Sequence, residues 1–355
     1  MPYQKHHHHG GHYKEGFSTK LKFDFPCCLV VEVVVVSLIV QFINNSTGEV
    51  GMMIYKMRAR LFLLLLLCLM SAATMADDRY KPFVLASNEA GNMNDKITAT
   101  KEALQKNGFE VVGEYAPYDG AHIIVVTNDE LKKAAASHSR AGYIAAQRVA
   151  LTELNGKIQV SYTSPFYMAK AYQIESNLAG VSEALKQSLG FVEVFGTDKG
   201  LKEKQLGKYH YMFGMEHFDE PYELATHKSH EEAVEIVEKN LASNVDGVSK
   251  IYRIDIPGTS QTLFGVGFKG KTEDDKANDD KYIMSEIDFQ DVRSSAHLPY
   301  EMLVNDKNIE ALHARFRIAI NFPDLSMMGS HSFMNIMSTP KAINKVLVDI
   351  AGGEK

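Results

Sequence analysis

The chain has 355 residues, a formal net charge of −6, three cysteines and no tryptophan. Cys27, Cys28 and Cys68 all lie near the N-terminus, so whatever folds beyond them does so without a disulfide, a thiolate nucleophile or a cysteine metal ligand. From Asp77 onward 31 Lys and Arg stand against 40 Asp and Glu, a net charge of −9, which makes nucleic acid and anionic membrane surfaces poor partners.

Residues 1–51 read as a spurious upstream extension and 52–76 as a secretory signal peptide. Lys56, Arg58 and Arg60 supply the basic start, 61–70 is an unbroken apolar run, and small residues follow up to Ala76. That run is too short to span a bilayer, which takes roughly 20 apolar residues, so no stable membrane anchor is expected in the mature form. Gly48-Glu49, two codons ahead of Met52, can be encoded as a purine-rich ribosome-binding sequence, which suits a start there. A periplasmic protein of 279 residues beginning near Asp77 results, and the histidines 6–9 and 12 drop out as a metal site.

Within that mature chain, 82–87 is strand-like and 95–106 carries Ile97, Ala99, Ala103 and Leu104 at helical spacing before the stop Asn107-Gly108. Strands are expected at 109–115 and 122–127 around a turn at 117–120, and at 143–154 and 157–163 around Asn155-Gly156, a strong hairpin signal. Pro165 then opens a Met-containing helix, and 178–189 is a further helix in the connection. A similar order returns. Tyr222-Glu223-Leu224-Ala225-Thr226 echoes Phe83-Val84-Leu85-Ala86-Ser87, a helix at 231–241 opens with the capping box Ser229 and Glu232, and strands at 250–256 and 263–268 flank Pro257, which matches Pro117. Residues 269–281 read as a solvated insertion; 300–304 and 314–322 read as the last strand pair, and Pro323 leads to another Met-containing helix. The fold class expected is α+β, in two tandem related copies, each a small antiparallel sheet packed with helices. They span 77–175 and 218–355, with 176–217 as a connecting segment.

The run Ala141-Gly142-Tyr143-Ile144-Ala145-Ala146-Gln147-Arg148-Val149-Ala150-Leu151, followed by Gln159-Val160-Ser161-Tyr162-Thr163-Ser164-Pro165, resembles the family called domain of unknown function 302. The resemblance covers about 92–172 and extends weakly to the second copy. It implies compact α+β domains that pair through their sheets, and carries no catalytic residues.

Two constellations stand out. In His210-Tyr211-Met212-Phe213-Gly214-Met215-Glu216-His217, a two-residue turn at Phe213-Gly214 would put His210, Met212, Met215 and His217 on one face. Two imidazoles and two thioethers suit copper, the thioethers favouring Cu(I). The plainer reading is an aromatic and Met-rich core strand with surface histidines, since Phe-Gly is not a favoured tight hairpin turn. Separately, the Asn155-Gly156 register puts Arg148 beside Ser161 and Thr163, opposite the apolar face of Val149, Leu151, Val160 and Tyr162. That donor fork suits a carboxylate or phosphate ligand, or an ion pair at a sheet-mediated interface between chains. Met327, His331 and Met334 share helical spacing and are expected as packing residues, and His230 as a solvated helix-start residue. No nucleophile elbow, phosphate loop, dinucleotide fingerprint or His-Glu-x-x-His is present. The reading is an exported, non-enzymatic binding or interaction module, structural or small-ligand in role, associating through a sheet face. Copper or another transition metal is the alternative, and a hydrolase with a concealed site the third.

Overall fold

The computed structural model describes residues 78–353, without the side chains of Glu273 and Asp274; the extension, the signal peptide and its cleavage site lie outside the described residues. In chain order the first lobe contains β1 (Arg79–Tyr80), β2 (Phe83–Glu89), α1 (Met93–Lys106), β3 (Glu110–Tyr115), β4 (Ala121–Thr127), α2 (Asp129–Ala135), a 3₁₀ turn (Ala141–Ala145), β5 (Gln147–Leu154), β6 (Lys157–Thr163) and α3 (Pro165–Ala171). Next come α4 (Ala179–Leu189), β7 (Glu193–Phe195), β8 (Leu201–Lys202) and α5 (Glu203–Leu206). The second lobe runs through β9 (Tyr222–Thr226), α6 (His230–Ala242), β10 (Val248–Asp255), β11 (Gln261–Phe268), α7 (Asp280–Ile287), a 3₁₀ turn (Ser295–His297), β12 (Tyr300–Asn305), β13 (Asn308–Ala311), α8 (Ala314–Asn321) and α9 (Thr339–Ala351).

Local chemistry explains many of the boundaries. Asn92, Asn128 and Ser164 each place a side-chain oxygen on the free N–H groups of the helix they open. Ser229 does the same for α6 through Glu232, whose carboxylate reaches back to Lys228 N rather than to Ser229. Asn155 and Gly156 both take positive φ, so β5 and β6 close in the expected register, with Val149 opposite Tyr162 and Leu151 opposite Val160.

Besides the two-stranded β1-β8 ribbon, the described residues form two larger sheets, and all are antiparallel. The first has the order β3-β4-β5-β6-β2-β7 and the second β10-β11-β12-β13-β9, so the strands that precede and follow each long helix occupy the same places. Even the irregularities repeat. β2 skips Ala86 against β6, as β9 skips Leu224 against β13; β3 skips Val112 against β4, as β10 skips Ile251 against β11. With the Glu153 N to Gly120 O bond set on Asp306 N to Ser260 O, Arg148 falls on Glu301 and Gly113 on Tyr252. The connecting segment is partly absorbed into the first lobe, where α4 packs on α1 and β7 extends the sheet beyond β2.

Several expectations need correcting. Residues 141–145 are a 3₁₀ turn, and the strand begins only at Gln147. Residues 314–321 form α8 rather than a strand; the partner of β12 is β13, joined through Asp306-Lys307, with Asp306 at φ 55°. Phe316, Ile318 and Ile320 alternate as in a strand, but Ala314, Arg317, Ala319 and Asn321 are buried as well, and a helix buried all round shows no polar stripe. The counterpart of α3 is therefore α8, ahead of Pro323 rather than after it. Finally, Asp280, in the stretch expected to be solvated, is buried and accepts from Tyr115 Oη at 2.7 Å and Phe268 N at 2.9 Å.

The lobes meet reciprocally. The 3₁₀ turn of the first lies on β11 and β12, and that of the second lies on β4, β5 and β6. Gly142 permits the first contact: a Cβ there would stand 2.5 Å from Leu303 Cδ1, and its N–H donates to Gln261 Oε1. Where β3 meets β10, a Cβ on Gly113 would come within 2.4 Å of Ile251 O.

Candidate functional site

Residues 209–218 form an irregular loop whose alternate side chains tie it down. Tyr209 Oη donates to Ala319 O at 3.0 Å, Tyr211 Oη to Leu325 O, and Glu216 accepts from Arg315 while lying 3.2 Å from His313 Nε2. Burial holds the His313 imidazole near pKa 4, down from its ordinary value, with the nearby Glu216 charge opposing and Arg315 reinforcing that shift. Phe218 is buried among the rings of Tyr143, Tyr172 and Phe316. Of the intervening residues, His210, Met212, Phe213 and Gly214 are exposed, whereas His217 is half-buried and Met215 packs against the core.

Between these anchors the chain reverses. Met215 N donates to Met212 O at 3.0 Å across Phe213 and Gly214, and Gly214 has φ +80°. A type II turn wants that conformation at its third position, and glycine adopts it without a Cβ clash. No strands flank the turn, so the preference of tight hairpins for Asn-Gly does not apply. Met212 and Met215 thus stand at the two ends of one turn, and the imidazoles of His210 and His217 face each other with ring centres 4.5 Å apart. Met212 is 42% exposed and Phe213 fully exposed, which departs from the plainer expectation of a core strand.

The donor set has a definite chemical bias. Of the neighbouring carboxylates, Glu216 is turned toward Arg315 and His313 and Glu220 accepts from His217 N at 2.9 Å, and among the described residues no group of three or more His, Cys, Asp or Glu could hold a metal ion. A zinc site lacks its third and fourth hard or borderline ligand here.

Arg148 is 2% exposed and lies on the face opposite Val149 and Leu151, as expected, with its backbone N–H on Thr163 Oγ1 at 3.3 Å. The second lobe covers that face. Arg148 Nε donates to Ala296 O at 2.9 Å and Nη1 to Glu301 Oε1 at 3.0 Å, and the same oxygen accepts from Tyr252 Oη at 2.7 Å. Thr163 Oγ1 donates to Gln147 Oε1, while Ser161 Oγ has no protein partner. Arg317 stacks over Tyr300, donates to His297 O and Pro299 O, and holds Nε 3.9 Å from Glu301 Oε2. Burial, reinforced by the two arginines, pushes the His297 imidazole well below its ordinary pKa, so it is neutral. Two guanidinium groups therefore share one carboxylate between the lobes.

Glu301, Arg317, His297 and Tyr252 were not singled out from the sequence. Their only signal is a lone charge inside an apolar run, in Tyr300-Glu301-Met302-Leu303 and Phe316-Arg317-Ile318. Of the other Met and His candidates, Met327 packs against the core, Met334 is exposed rather than packed, and His331 stacks on Phe289 at 4.7 Å from a loop with φ +53°, not from a helix face. His227 bonds Ala351 O and His230 bonds Thr262 Oγ1.

Compared with known proteins, the chain matches no family model, no curated protein and no solved structure. The resemblance to the domain of unknown function 302 family accordingly rests on residues 141–151, 159–165 and the helix end Lys106-Asn107-Gly108-Phe109.

Proposed function

We propose that the mature chain is an exported, non-enzymatic binding module that takes copper as Cu(I) on the 210–217 turn, with two copies of one α+β unit as its rigid support. The observation that carries the reading is the approach of the His210 and His217 rings to 4.5 Å across a turn that begins at Met212 and ends at Met215. Metal–imidazole bonds are about 2 Å long, so rings this close can each give a nitrogen to one ion. The adjacent thioethers select a soft cation. Fixing Tyr209, Tyr211 and Glu216 on the second lobe, and Phe218 between the lobes, lowers the ordering cost that a free loop would meet on binding.

The test is a Cu(I) titration of the untagged mature protein against a chromophoric competitor under reducing conditions. One tightly held equivalent is expected in the parent. The Met212→Leu, Met215→Leu double variant should bind at least tenfold more weakly, and His210→Ala more weakly still. Equal retention by parent and double variant would sink the assignment. N-terminal sequencing of the native protein tests export, with Asp77 the expected first residue.

A structural role for the sheet face around Arg148 is supported separately. Its donor fork closes on Ala296 and Glu301 of the second lobe, so the carboxylate expected as its ligand is supplied by the chain itself.

A further inference from the structure

A groove of about 470 Å³ runs between β7 and the second lobe. One wall is β7 with residues 196–198; the other is formed by residues 287–292, 294, 322, 324 and 325. β7 ends the first sheet and pairs with β2 alone among the described strands. At Gly196, where φ is +102° and a Cβ would stand 2.6 Å from Pro82 Cγ, the chain leaves the sheet, so the edge is short. The matching edge of the second sheet is closed: a Cβ on Gly353, just beyond α9, would touch Leu224 O of β9 at 2.3 Å. Only the first lobe leaves its edge to the groove.

That edge pairs an apolar residue with a charged one, Val194 beside Glu193. Val194, and Phe289 across the groove, are each more than a third exposed, as are Phe191 and Val192 just ahead of the strand. The groove's polar lining is acidic. Asp324 accepts from Thr197 and Asp198 N, and buried Asp288 accepts from Ser294 N, but Glu193, Asp198 and Asp291 line the groove as exposed residues with only Lys81 as a lining cation. A second copy seated here would bring acid against acid, in a chain already at −9.

We propose that β7 and this groove form a docking site for an extended segment of another protein that alternates basic and apolar side chains and adds to the first sheet as a strand. Main-chain hydrogen bonds to the free edge supply affinity, and alternate side chains supply specificity: apolar ones against Val194 and Phe289, basic ones toward Glu193, Asp198 and Asp291. The inference does not depend on copper.

The probe is a labelled, end-capped hexapeptide of alternating Lys and Val, titrated into the mature protein at low salt. Saturable binding is expected, with amide hydrogen exchange slowed at 192–195. The exposed double change Glu193→Lys, Asp291→Lys should weaken binding at least tenfold without altering the fold. The alternating Glu and Val peptide should not bind. Absence of binding at millimolar peptide, equal binding of the acidic peptide, unchanged exchange at 192–195, or a self-associated dimer abolished by the double change would each overturn the proposal.

Discussion

The two lobes share strand order, bulge positions and reciprocal 3₁₀ contacts, yet they differ most where they touch. Arg148 and Glu301 occupy the same position in their sheets and bond to each other. In a symmetric homodimer a residue on the two-fold axis meets its own copy, so an arginine would face an arginine. One chain with two unequal lobes can put opposite charges there. The same divergence appears on α3 and α8, where Met168 and Arg317 stand three residues into matching helices.

The largest effect should come from undoing that divergence. Glu301→Gln leaves Arg148 and Arg317 buried without a carboxylate and should cost about 3–5 kcal/mol in urea unfolding, the usual penalty for breaking a buried pair from one side. Replacing Arg148 and Glu301 together by Met should cost less than the sum of the two single Met changes. Strict additivity would mean that the pair does not couple the lobes. Next in size is Gly113→Ala, about 1–3 kcal/mol, because the added methyl meets the backbone oxygen of Ile251, which cannot rotate aside as a side chain can. Gly91→Ala, with open space around it, should stay within about 0.5 kcal/mol.

The sequence was legible where structure follows local chemistry. Asn155-Gly156 dictated the β5–β6 register and through it the face of Arg148, and Ser229 marked the start of α6. It was illegible where the deciding neighbour is remote. Arg148 finds Glu301 far along the chain, and α8 reads as a strand because the second lobe buries the residues that would otherwise form its polar stripe. The 210–217 turn lies between these cases. Gly214 forecasts the reversal, but its outward aim is set by the anchoring of Tyr209 and Tyr211 on the second lobe and of Phe218 between the lobes, and no periodicity encodes that.

A further asymmetry is sensitive to pH. Helices α2 and α7 both follow an Asn or Asp cap with an aspartate, but Asp129 is exposed and Asp280 is buried against Tyr115 of the first lobe. Burial raises the Asp280 pKa to about 6, against the lowering pull of its bonds to Tyr115 and Phe268. A carboxyl with a raised folded pKa contributes stability that is fully present below its unfolded value, near 4, and is lost as pH rises through about 6. Relative to Asp280→Asn, the parent should therefore lose on the order of 2–3 kcal/mol between pH 4 and pH 7. Parallel pH profiles for the two proteins would show that Asp280 does not ionise against this burden.

The smallest stability effects should fall on the exposed part of the 210–217 turn. Met212 and Phe213 are exposed, so Met212→Leu and Phe213→Ser should each move unfolding by no more than about 0.5 kcal/mol. Their effects on metal should diverge, because Phe213 supplies the bend and no donor atom. Phe213→Ser should keep Cu(I) uptake, whereas Met212→Leu, which keeps bulk and loses sulfur, should weaken it. If Phe213→Ser also abolished uptake while leaving stability intact, the turn's shape would be limiting. If both changes destabilised the fold by more than about 1 kcal/mol, the turn would belong to the packing that the lobes share, and its outward aim would have no bearing on metal.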